Sequence, residues 1–95
     1  MSVTIGDTEF DRVSYDADAD VLYLHVGDPE TASNFDASSE GHALRYDNRG
    51  RLVGITILNA RWHLEEDGEA VITTPEARLV VGPDELSQAI ASRAA

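Results

Sequence analysis

The chain is 95 residues long, with 18 acidic and 7 basic side chains and a formal net charge of −11. That length makes one small domain, residues 1–95, with a core at the modest end of what folds alone. All seven basic residues are Arg, and Cys is absent. A strongly negative chain repels a polyphosphate backbone and an anionic bilayer surface, so neither nucleic acid nor membrane is expected as a partner. Without Cys there are no disulfides, thiolate nucleophiles or Cys-based zinc sites. The N-terminal Met1-Ser2-Val3-Thr4-Ile5-Gly6-Asp7 has neither the basic start nor the apolar stretch of a signal peptide, so a cytoplasmic protein is expected. The acid excess fits life at high salt, and the missing Lys fits an Arg-rich codon usage equally well.

Period-two alternation dominates the chain. Arg12-Val13-Ser14-Tyr15 reads as a strand, Asp16–Asp20 as an acidic turn, and Val21–Val26 as a strong strand. In the latter, Leu22, Leu24 and Val26 share one face, and Val21, Tyr23 and His25 the other. Residues 27–41 are poor in large apolar side chains, apart from Phe35, and read as a mobile loop. His42–Tyr46 and Leu52–Leu58 flank Asp47-Asn48-Arg49-Gly50, a hairpin signal because the Gly can take a positive φ. The second of these strands is apolar on both faces, as a central strand should be.

Residues 62–74 admit two readings. One is a hairpin turning at Asp67-Gly68; the other is a short helix opened by Asn59 and closed at Gly68. The hairpin is preferred. Leu79–Val81 forms a last strand, and Gly82-Pro83-Asp84-Glu85 opens a helix reaching about residue 93. Pro suits the first helical turn, the two acids suit its positive end, and Leu86, Ala89, Ile90 and Arg93 or Ala94 form one stripe. The expected fold is α+β: an antiparallel sheet of five to seven strands over about residues 12–81, a meander of hairpins, with one C-terminal helix.

Few constellations suggest chemistry. Asp16, Asp18 and Asp20 begin like a calcium loop, but Val21 stands where Gly is needed and Gly27 where a bidentate Glu should close the shell. A hairpin turn whose carboxylates accept backbone N–H bonds explains them better. His25, His42 and His63 fall on three predicted strands, and spacing alone does not bring them together. There is no Gly-x-Ser-x-Gly elbow, no Lys for a Schiff base and no Gly-rich phosphate loop, so no enzyme and no cofactor are expected.

One helix can shield only one face of a broad sheet. The other face, with Tyr23, His25 and, by this reading, Trp62, is then left for a partner, and Tyr15 is a further aromatic of the kind that suits interfaces. These four residues are the interface candidates. The reading is a non-catalytic protein-interaction module, a homo-oligomer (a dimer first) or the binder of a basic protein. A metal or small-ligand domain using the Asp16–Asp20 turn or the histidines is the alternative.

Two segments also resemble a known family. Tyr15-Asp16-Ala17-Asp18-Ala19-Asp20-Val21-Leu22-Tyr23-Leu24 is similar to its Tyr-Asp-x-x-x-Asp-x-Leu-Tyr motif, and Gly50–Ala60 to its second block. The family is the small bacterial and archaeal domain of unknown function numbered 2283. The resemblance covers about residues 12–60 and implies a small antiparallel sheet with no catalytic residues to carry over. Some members are similar in context to antitoxins, being encoded beside small basic toxin-like proteins, so the resemblance implies an antitoxin-like role with a basic partner; residues 61–95 extend beyond the shared motifs.

Overall fold

The computed structural model describes residues 2–28 and 32–92. Its centre is a five-stranded antiparallel sheet built from β3 (Arg12–Asp16), β4 (Val21–His25), β5 (Asn34–Ala37), β6 (Ala43–Tyr46) and β7 (Leu52–Leu58), in the order β3-β4-β7-β6-β5. This is a β3–β4 hairpin zipped to a β5–β6–β7 meander, not one continuous meander. The β4–β7 pairing forms because both strands carry apolar side chains at alternate positions: Leu22 faces Ile57 and Leu24 faces Ile55.

The inner face of this sheet holds Tyr15, Leu22, Leu24, Leu44, Ile55 and Ile57, all buried. Four further elements join it in one core: the hairpin β1–β2 (Val3–Ile5, Thr8–Phe10), helix α1 (Ala60–Glu66), the hairpin β8–β9 (Ala70–Thr73, Arg78–Val81) and helix α2 (Pro83–Ala91). Phe10, Ile72 and Leu86 are wholly buried there, each stabilising the fold by about 1.5–3 kcal/mol.

Several expectations change. The β1–β2 hairpin lies ahead of residue 12, where no strand was expected; its signal is the alternation Val3-x-Ile5 and the reversal at Gly6, whose φ is +60°. Strand β5 runs through the supposed loop, because its backbone pairs with β6 although all four residues are exposed. The part of that loop at residues 29–31 lies outside the described residues, as does the expected helix end at 93 with the Arg93/Ala94 end of its stripe. Residues 60–66 form a helix instead of a hairpin strand, so the described residues hold two helices, and the nine strands form three sheets. The hairpin at Asp47–Gly50 is as expected: Gly50 takes φ +79°, and the Asp47 carboxylate accepts from the backbone N–H of Arg49 and Arg51 and from Arg51 Nε at 2.9 Å. In α2, Pro83 occupies the first turn and Leu86, Ala89 and Ile90 are buried. Among the described residues no helix is long and apolar enough to cross a membrane.

Candidate interaction surface

The register of the central sheet places three rows of side chains on its outer face. The first runs Arg12, His25, Gly54, Arg45, Phe35; the second Ser14, Tyr23, Thr56, Ala43, Ala37; the third Asp16, Val21, Leu58. The helices and small hairpins pack on the other face, so nothing among the described residues covers this one. Tyr23 is 44% exposed, Leu58 42% and Phe35 70%. In a chain with 18 acids, these rows contain a single acid, Asp16, against Arg12 and Arg45.

The face is also stiffened locally. His25 is buried to 7% exposure, and its Nδ1–H donates to the Val26 carbonyl at 2.9 Å. Its ring lies over Gly54, where an added Cβ would sit 2.8 Å from His25 Cδ2 and 3.1 Å from Arg45 Cβ. Gly54 is therefore there for close approach, not for an unusual φ. The Arg45 guanidinium lies 5.5 Å from the centre of the Phe35 ring, a cation–π contact with an aromatic that stays largely exposed.

The other candidates divide. Tyr15 is on the inner face and 2% exposed, so it belongs to the core and not to the interface. Its hydroxyl donates to Asp20 Oδ1 at 2.7 Å. Trp62 is 53% exposed on α1, a helix of the other layer and not a strand of the sheet. Asp16 closes the β3–β4 turn by accepting from the N–H groups of Asp18 and Ala19. Among the described residues no group of three or more His, Asp or Glu side chains is arranged to hold a metal ion.

Asp20 has a role that its sequence position hides. Asn59 precedes α1 in the left-handed conformation, φ 57°, and makes no side-chain cap. Asp20, itself at φ 54°, supplies the cap across 41 positions of chain. Its carbonyl accepts from Ala60 N, its Oδ1 from Arg61 N at 2.7 Å, and its Oδ2 from Trp62 N at 3.2 Å. Partial burial pushes its carboxyl up, but the bonds from Arg61, Tyr15 and Trp62 and the charge of Arg61 outweigh this and leave the pKa lowered. A seven-residue helix is too short to stand alone, so this remote cap ties it to the sheet. The two motif segments, around Tyr15–Leu24 and Gly50–Ala60, thus meet at Asp20, whose backbone carbonyl accepts from Ala60 N–H.

The three histidines do not converge. His25 belongs to the outer face, whereas His42 and His63 meet on the inner side, with ring centroids 5.5 Å apart and nearly perpendicular. Leu58 N–H donates to His42 Nδ1 at 3.1 Å, which puts the proton of the neutral ring on Nε2. Burial lowers the His42 pKa, the neighbouring His63 lowers it further, and the Glu40 charge opposes both. Glu40 is held by Thr73, whose Oγ1–H and N–H donate to it at 2.6 and 2.8 Å, keeping its pKa near 2.

No curated protein and no solved structure matches the chain. A family model does, over residues 12–61, which run from the start of β3 through the central sheet to the capped first turn of α1. That match takes in half the chain and both motif segments, and on it the chain belongs to the family described as protein of unknown function (DUF2283).

Proposed function

We propose that the chain is a non-catalytic protein-interaction module that pairs with a second copy of itself through the outer face of the central sheet. The observation that carries this reading is an uncovered face, bearing exposed Tyr23, Leu58 and Phe35, from which acids are almost excluded in a chain of net charge −11. Two such chains repel each other over most of their surfaces and least across this face. A two-fold axis along the Ser14–Tyr23–Thr56–Ala43 row sets Tyr23 against its own copy. The same axis sets Asp16 of one copy against Arg12 of the other, because the two lie at opposite ends of β3.

Five strands about 4.8 Å apart, each contributing about five residues, give a flat footprint of roughly 400 Å² per copy. That is below the ~800 Å² per partner of a standard specific interface, so the dimer is a weak one. Sedimentation velocity from about 1 μM to 1 mM tests this. A monomer–dimer equilibrium in that range is expected, weakened at least tenfold by Tyr23→Lys or Arg12→Glu. The double exchange Arg12→Glu with Asp16→Arg should restore it. A chain that stays monomeric at 1 mM, or a dimer indifferent to all three changes, refutes the reading.

A further inference from the structure

The core is unfinished at one end. Four of its partly covered apolar side chains, Val26, Tyr46, Leu52 and Leu79, gather around a groove of about 850 Å³ on the inner side of the sheet. Three turns meet there: the β1–β2 reversal, the β6–β7 hairpin and the β8–β9 connection. A cavity of this size with an apolar floor and a few charged groups is of the kind that takes small ligands.

The charges at the groove decide which ligand. Asp7, Glu9 and Glu76 line it, whereas Asp47 is already paired with Arg51 at 2.9 Å, which leaves Arg49 as the opposing cation. The −11 charge of the whole chain adds to the pull on a positive group. We propose that the groove binds an amphipathic cation, an apolar body seated on Tyr46, Leu52 and Leu79 with one ammonium or guanidinium group facing Glu9 and Glu76. This site lies on the opposite side of the sheet from the self-association face and does not depend on it.

The same chemistry arises in a free organic amine and in a basic side chain of another protein, and three probes separate them. Amide resonances of the isotope-labelled full chain would be followed during titration with phenethylammonium, with Nα-acetylarginine amide and with 3-phenylpropionate. Saturable shifts are expected around residues 5–9, 46–53 and 74–79, with the carboxylate at least tenfold weaker than phenethylammonium. Glu9→Gln and Glu76→Gln should each weaken the cation about threefold, as exposed charges do, and added salt should weaken it further. Tighter binding of the arginine derivative than of phenethylammonium assigns the site to a protein side chain; the reverse assigns it to a free amine. No saturable shift with either cation at 20 mM, equal binding of the carboxylate, or shifts confined to the Tyr23 face overturns the proposal. Dispersed spectra of the variants confirm that they fold.

Discussion

Replacing Asp20 by Ala removes more than its place in an acidic turn suggests. Two backbone N–H groups of α1 lose their carboxylate cap, which costs about 1–2 kcal/mol. The Tyr15 hydroxyl loses a bond to a charged acceptor, about another 1.5 kcal/mol. Ala also tolerates φ 54° less well than Asp, by up to about 1 kcal/mol. The expected loss is therefore about 3 kcal/mol, a large share of the roughly 5–14 kcal/mol typical of a domain this size, and a fall of about 12–20 °C in Tm. Asp20→Asn keeps an acceptor and suits the left-handed conformation, so it should lose only about 1 kcal/mol. Asp18→Ala, on the exposed part of the same turn, should lose less than about 0.5 kcal/mol. Urea unfolding at pH 7 measures all three. Because the folded pKa of Asp20 is lowered, its contribution is present above the ordinary carboxylate value of 3.8 and fades as pH falls through the folded one. The difference between wild type and Asp20→Asn should shrink accordingly in acid. An Asp20→Ala loss below about 1 kcal/mol, or equal to that of Asp18→Ala, refutes the remote cap.

Three further outcomes follow from the structure. Gly54→Ala should cost about 1–3 kcal/mol, because its new methyl meets the buried His25 ring and Arg45 Cβ; chemical denaturation reads it. His42 has a lowered folded pKa and accepts from Leu58 N–H only when neutral, so its contribution is intact above pH 6.5 and is lost as pH falls toward the folded value. Urea midpoints taken from pH 7.5 to 5 should fall for the wild type and fall less for His42→Gln; parallel curves would count against this account. Tyr46→Phe should be neutral or stabilising by up to about 1 kcal/mol, since the Tyr46 hydroxyl is shut from solvent without a hydrogen-bond partner among the described residues. A loss above 1 kcal/mol in that variant would mean that the hydroxyl has a partner.

The amino-acid sequence alone determined those elements whose signal is local. Alternation in Val21–Val26 and Leu52–Leu58, the Gly50 turn, and the Pro83–Glu85 helix start all act within a few residues, and each forms where expected. Tertiary structure decided the rest. Residues 60–66 become a helix because Asp20, far away in the chain, caps them; the local pattern, with its Asp-Gly turn, favours a hairpin. Strand β5 exists through its pairing with β6 and not through any apolar alternation of its own. The fate of the candidate aromatics was likewise settled by packing. Tyr15 and Tyr23 lie on adjacent strands, and their register puts Tyr15 on the covered face, in the core, and Tyr23 on the open one. Covering the Tyr15 face left Tyr23 in the open. A period-two pattern separates the two sides of a single strand; which residues of neighbouring strands stand side by side, and which remote element caps or covers them, is fixed only by the pairing of the folded chain.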